Sequence, residues 1–211
     1  PNEYNAKGSA AITDAKGLYF INPAGDEMDK PTQIWTQGET EGTSVWVPII
    51  DKPNQKTTQE FSMTVPEKYV TLSNGKLTSQ RKNNDGTRTD TWKMELPHAP
   101  YLFFMGVGDY AVIKDSYKGK EVSYFVEKEY GPVARKIFGN TPEMIAFFSC
   151  ITGVDYPWVK YAQIVGRDYV SGAMENTTAT LHQESAQQDA RQLIDGNGWE
   201  STIAHELFHQ W

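Results

Sequence analysis

Between residue 30 and about residue 112 apolar side chains recur at every second position, and after Gly119 they recur at helical spacing instead. A chain with those two textures has to build a sheet with one buried face first, and a layer of mixed helices and strands second. In the first half Phe61, Met63 and Val65 alternate with polar neighbours, Trp92, Met94 and Leu96 do the same, and Ser44-Val45-Trp46-Val47 reads as another short strand. Asn74-Gly75 and Asn84-Asp85-Gly86 supply turns that readily take positive φ, while Pro48, Pro53 and Pro66 mark strand ends or edges. This half is predicted to be an antiparallel β sandwich or saddle-like sheet.

In the second half Glu127 to Phe138 and Pro142 to Ile151 carry the helical pattern, with Thr141 as N-cap before Pro142, and Gly139 and Gly153 closing the two helices. Tyr161 to Val165 and Val170 to Leu181 read as extended, and Trp199 to Trp211 as a helix with Ile203, Leu207 and the two histidines within reach of a buried side. A polar joint at Lys114, Asp115, Lys118, Gly119 and Lys120 is expected to separate a first domain, 1–115, from a second, 116–211. There is no internal repeat and no low-complexity segment.

Of the 211 residues, 38% are hydrophobic and 12% aromatic, enough for the cores of two modest domains in a soluble globular protein. A formal charge of −7 argues against nucleic acid and anionic membrane as partners, and disfavours acidic substrates. No apolar run is long enough to cross a bilayer; the densest stretch, Tyr101 to Ile113, is interrupted by Gly106, Gly108, Asp109 and Tyr110. The start, Pro1-Asn2-Glu3-Tyr4, is neither basic nor apolar and lacks an initiator Met, which leaves a cytoplasmic and an exported location both open. Cys150, the single cysteine, excludes an internal disulfide and a Cys-rich zinc site. Its apolar surroundings, Ile145 to Ile151, predict a small buried hydrophobe rather than a nucleophile.

The residues that carry chemistry are His205-Glu206-Leu207-Phe208-His209-Gln210-Trp211, an HExxH pattern. On a helix, positions i and i+4 share a face, so His205 and His209 can reach one metal ion while Glu206 is placed to act as general base on a water beside it. Upstream, Gly172-Ala173-Met174-Glu175-Asn176 reads GAMEN, and Thr36-Gln37-Gly38-Glu39 reads TQxE. His98 and His182 have no second ligand at useful spacing and are not offered as metal ligands.

From about Lys16 to Trp211 these motifs, in this order, resemble the aminopeptidase N family of gluzincin zinc aminopeptidases. The resemblance implies an α+β chain in which an antiparallel β saddle or sandwich domain precedes the front lobe of a thermolysin-like zinc metallopeptidase domain. It implies one zinc ion held by His205 and His209, with Glu206 as the catalytic base. Glu175 would hold the free α-ammonium group of a peptide, helped by Glu39, with Gln37 close to the first residue's backbone. Gly172, Ala173, Met174 and Asn176 would complete the substrate-binding strand, onto which a peptide adds as an extra strand. Pinning a cationic N-terminus at a fixed distance from the metal presents only the first peptide bond, which makes the enzyme an exopeptidase. The expected partners are peptides with a free N-terminus, and the expected state of the whole protein is a monomer. The family's third zinc ligand, a glutamate on a following helix, and its oxyanion-stabilising tyrosine do not occur in this sequence, so the chain is expected to be an internal fragment with weak zinc binding and little turnover. Two alternatives remain: a module that captures peptide N-termini without cleaving them, and a related zinc hydrolase that opens epoxides. GAMEN rather than a GGMEN-type variant favours the aminopeptidase.

Overall fold

In the computed structural model, which describes residues 17–211, the period-two half resolves into two antiparallel sheets. Lys16, where the family resemblance begins, and the Pro1 to Tyr4 segment lie outside the described residues. The strands are β1 (Gly17–Ile21), β2 (Gln33–Gln37), β3 (Thr57–Pro66), β4 (Val70–Ser73), β5 (Lys76–Lys82), β6 (Thr87–His98) and β7 (Met105–Gly108). They pair in the orders β1-β2-β7-β4 and β3-β6-β5. Alternation is what sorts the two faces of the second sheet. Met63, Val65, Trp92 and Met94 are buried, while the hydroxyls of Ser62 and Thr91, and of Thr64 and Thr89, pair across β3 and β6 at 2.9 and 2.8 Å on the exposed side.

Asp90 shares the buried face and is compensated there. Burial opposes its charge, but Arg88 donates to both carboxylate oxygens at 2.7 and 2.8 Å and Thr71 donates at 2.7 Å, which holds its pKa below the usual carboxylate value. Gly75, between β4 and β5, takes φ +74°, and a Cβ there would lie 2.0 Å from the Lys93 carbonyl oxygen, so the turn requires glycine.

Two readings of this half are corrected. Ser44 to Val47 is not a strand: Thr43–Val45 forms a 3-10 turn, because Thr43 Oγ1 donates to Pro100 O at 2.8 Å, Ser44 N donates to Asp51 Oδ2 at 2.8 Å, and the Val47 amide returns to Thr43 O. Leu96 does not continue the buried alternation. The β3–β6 register jumps from Gln59↔Met94 to Thr57↔His98, so Leu96 falls beside Pro97 in a bulge and is exposed.

Contacts divide the described residues after Asp109, and Tyr110–Trp211 form the other compact unit. Its strands are β8 (Tyr110–Tyr117), β9 (Lys120–Glu127), β10 (Lys160–Gly166), β11 (Ala173–Met174) and β12 (Ala179–Gln183), and its helices are α1 (Ala134–Phe138), α2 (Thr141–Thr152) and α3 (Glu200–Phe208). The sheet order is β11-β12-β10-β9-β8, with β9, β10 and β12 parallel to one another and the two outer strands antiparallel to their neighbours. Tyr124, Phe138, Ile145, Tyr161, Ile203 and Leu207 lie in the core that joins sheet and helices. Antiparallel sheets followed by a helix-backed sheet give the α+β architecture expected from the sequence.

The run expected to be a polar joint is the β8–β9 hairpin, in which Tyr117 pairs with Lys120 and both tip residues, Lys118 and Gly119, have positive φ. A tight turn of that hand suits the twist of the flanking strands. Within Glu127 to Phe138 only Ala134–Phe138 is α-helical; Lys128–Val133 is 3-10, with Pro132 inside it. Asn140 rather than Thr141 is the N-cap residue of α2, and the Thr141 hydroxyl donates to Phe138 O at 2.6 Å and accepts from Gln163 Nε2 at 2.8 Å. Cys150 is exposed, not buried: α2 turns Ile145 and Ser149 inward and leaves Phe147 and Ile151 each 58% exposed beside the thiol.

Candidate metal and substrate site

The site is built on α3, and its entry is fixed by Asn197. That side chain accepts from the Trp199 amide at 3.0 Å and donates to Ile137 O at 2.6 Å, tying the start of α3 to the end of α1. Ile203 and Leu207, four residues apart, are fully buried and set the rotation of the helix. His205 and His209 are thereby turned outward and exposed, while Glu206 is buried between them at 7% exposure.

The two imidazoles converge. His205 Nε2 and His209 Nε2 are 3.1 Å apart. Two nitrogens bound to zinc at about 2.0–2.1 Å in tetrahedral geometry lie about 3.3 Å from each other, so this spacing suits a shared ion. One ligand atom each from His205, Glu206 and His209 fall within 4.8 Å of one another. Paired imidazole nitrogens are donors that suit zinc in hydrolases, so His205 and His209 fit the ion, while Glu206 beside them is placed as a base rather than as a donor.

Glu175 lies at the end of β11, the edge strand of its sheet, where Ala173 pairs with His182 and Met174 with Leu181. Met174 and Asn176 are buried, and Gly172 and Ala173 half-buried, as is Glu175. An added Cβ at Gly172 would meet nothing within 4 Å, so packing does not demand glycine there. Beyond Glu175 the chain turns through Thr178, whose φ is +65°. Lys160 Nζ donates to Thr178 O at 2.8 Å and to Thr178 Oγ1 at 3.1 Å, and burial pulls the Lys160 ammonium down to about 7. Gln210, one residue past the second histidine and buried, accepts from the Thr178 amide at 2.9 Å and donates to Glu175 O at 3.2 Å. Trp158 Nε1 donates to the Gln210 carbonyl at 2.8 Å, and Trp211 Nε1 to Val154 O at 2.8 Å.

In the first unit, Gln37 ends β2 and is buried, and Glu39 is exposed in the turn that follows. Gly38 makes that turn possible: a Cβ would lie 2.2 Å from Tyr101 O and 2.7 Å from Thr43 Oγ1. The Gly42 amide donates to Gly38 O at 2.6 Å, closing the loop under Glu39.

The two histidines left out of the ligand set are core residues. His98 Nε2 is 2.9 Å from Gln59 Oε1, and burial lowers its pKa to about 4. His182 Nδ1 accepts from Trp199 Nε1 at 3.1 Å, and burial lowers its pKa to about 3, so the ring stays neutral in the fold. Sequence reasoning missed Lys160, Thr178 and Gln210. Nothing local flags a threonine at positive φ, and the partners of Gln210 lie 32 and 35 residues upstream.

A helix that offers two imidazoles and a carboxylate beside the edge of a mixed sheet has the layout of a metal-dependent hydrolase. Comparison with known families sharpens that class. Residues 7–102 match the peptidase M1 N-terminal domain, and residues 137–211 match the peptidase family M1 domain. Human glutamyl aminopeptidase is 28% identical over 168 residues, which cover 78% of this chain and 18% of the relative. Tricorn protease-interacting factor F2 of Thermoplasma volcanium is 28% identical over 210 residues, 96% of this chain and 25% of the relative. Probable aminopeptidase 1 of Sulfurisphaera tokodaii is 28% identical over 214 residues, 99% of this chain and 26% of the relative. The chain thus spans between 18% and 26% of the length of these curated relatives. It belongs to the aminopeptidase N family, peptidase family M1, a family of zinc metallopeptidases. Among the described residues no helix is long and apolar enough to cross a membrane.

Proposed function

We propose that this chain carries the metal-ligating histidines, the general base and the amine anchor of a zinc-dependent aminopeptidase that removes N-terminal residues from peptides. The observation that carries the reading is the 3.1 Å approach of His205 Nε2 to His209 Nε2 on the helix that buries Glu206 between them. Zinc, when bound, supplies a Lewis acid that polarises the scissile carbonyl and brings the pKa of water toward neutrality. Glu206 takes the proton from the attacking water and returns it to the departing amine. Glu175 holds the substrate's α-ammonium group; by the motif in which they stand, Glu39 is assigned to help it and Gln37 to the first residue's backbone. The peptide pairs with the edge of β11, along Gly172, Ala173 and Met174, with Asn176 supporting the turn behind Glu175. The proposed domains are a β-rich saddle domain up to Asp109 and the first part of a thermolysin-like catalytic domain from Tyr110, because a boundary at 115 would cut β8.

The test is zinc titration of the wild type and of H205A and H209A, together with calorimetry of one short peptide with its N-terminus free and acetylated. Loss of either histidine is expected to weaken zinc binding by about a hundredfold or more, as expected when one of few ligands is removed. The free peptide is expected to bind and the acetylated one to bind far less. Zinc binding indifferent to both histidines, or equal affinity for the two peptides, would overturn the reading.

A further inference from the structure

Gln210 touches both ends of the Glu175 turn, and each contact uses a different half of its carboxamide. Its Oε1 accepts from the Thr178 amide at 2.9 Å, and its Nε2 donates to the Glu175 carbonyl at 3.2 Å. A carboxylate at this position lacks the donor, a hydrocarbon lacks both groups, and an asparagine is one methylene too short to reach from the same backbone. The carboxamide is itself held in place. Gln210 is buried, its amide donates to Leu207 O at 3.0 Å, and its carbonyl accepts from Trp158 Nε1 at 2.8 Å. The side chain therefore leaves the end of α3 from a fixed point, one residue after His209.

The turn it grips does not hold itself by local preference. Thr178 is β-branched and sits at φ +65°, a region such residues rarely occupy. Its conformation is maintained from two directions. Gln210 takes the amide, while Lys160 Nζ and the Ala162 amide take the carbonyl at 2.8 and 2.9 Å. Within the turn the Ala179 amide donates to Asn176 O at 2.9 Å. The Lys160 side ties the turn to the sheet, and the Gln210 side ties it to the helix that carries the two histidines.

We infer that Gln210 is a positioning residue that sets the distance between the Glu175 amine anchor and the His205–His209 pair, and so fixes which peptide bond is presented. This rests on the aminopeptidase reading above. Glu175 and the histidines stand on different elements, and exopeptidase selectivity depends on the span between them. A shift of about 1 Å at such an anchor is enough to cost about a hundredfold in productive geometry. Gln210 makes the one side-chain connection among the described contacts that runs from the residue next to His209 directly to the backbone of Glu175.

The experiment compares wild type, Gln210→Met and Gln210→Glu. Q210M removes both bonds at similar volume. Q210E keeps an acceptor for Thr178 and removes the donor to Glu175, and it serves if Q210M does not fold. Three quantities are read: amide hydrogen exchange of residues 173–178 against residues 200–209, the affinity ratio for a peptide with free and acetylated N-terminus, and zinc affinity by chelator competition. The expected result is exchange at 173–178 faster by about tenfold or more with α3 little changed, and an affinity ratio reduced by about tenfold or more with zinc affinity within about threefold of wild type. Unchanged exchange at 173–178 overturns the clamp. Faster exchange with the affinity ratio intact, or with the ratio and zinc affinity falling in parallel, shows a merely structural residue and also overturns the inference. A wild type that binds both peptides equally removes the aminopeptidase reading and this inference with it.

Discussion

His182 makes the stability of the second unit depend on pH in a direction that can be worked out. The ring lies in the core against Phe138, its Nδ1 accepts from Trp199 Nε1, and burial lowers its pKa to about 3 from an ordinary value of 6.5. A depressed histidine favours the fold while it is neutral in both states, so its contribution is complete above about pH 6.5. It is lost progressively as the pH falls toward about 3, because the unfolded chain takes up a proton that the folded chain refuses. Between pH 7 and pH 5 the loss is about 2 kcal/mol, approaching about 1.4 kcal/mol per pH unit below pH 6. The perturbation is His182→Gln, which keeps an acceptor near Trp199 and removes the titration. Urea unfolding followed by circular dichroism at pH 7, 6 and 5, at one ionic strength, gives both stability profiles. The wild type is expected to lose about 2 kcal/mol more than H182Q over that range. His98, with the same sign of shift, and every surface carboxylate are common to both proteins and cancel in the difference. Parallel profiles would refute the reasoning, because they would mean that His182 takes its proton as readily in the fold as in the unfolded chain.

Three other outcomes are expected. Gly38→Ala drives a methyl group into Tyr101 O and Thr43 Oγ1, and should destabilise the first unit by about 2 kcal/mol or more in chemical denaturation and displace Glu39. Arg88→Met leaves the Asp90 carboxylate buried without its main partner, and should cost about 3–5 kcal/mol at neutral pH, with much of the loss recovered by adding Asp90→Asn. Cys150, exposed on α2, should react with a soluble thiol reagent in the native protein at a rate close to that of the unfolded chain, as read by absorbance.

Much of the fold is legible in the sequence wherever one face of an element is buried. Met63, Val65, Trp92 and Met94 report β3 and β6 because a sheet with a single dry face forces alternation. Ile203 and Leu207 report α3 for the same reason, but the expectation that His205 and His209 also lie toward the buried side fails, because the rotation that buries Ile203 and Leu207 leaves both imidazoles exposed. The reading fails where a distant partner decides. Thr43 finds Pro100, so Ser44 to Val47 curls instead of extending. Lys118 and Gly119 form a hairpin tip because β8 and β9 pair, although the same polar run in isolation suits a linker. Cys150 sits in an apolar segment, yet α2 has more apolar side chains than its inner face can bury. The same limit hides Gln210: its residue type and place are visible, but the carbonyl and amide it grips come from a turn that only the folded sheet brings near.

The brevity of β11 has its own consequence. A strand of two residues at the edge of a sheet can offer an incoming chain very few main-chain hydrogen bonds, too few to recruit the long edge of another molecule into a stable ribbon. It remains long enough to align a short extended peptide by its backbone, which is the same whatever side chains that peptide bears. An edge of that length separates welcome from stickiness: a ligand gripped elsewhere by its charge can dock and leave, while an unfolding neighbour finds nothing to extend.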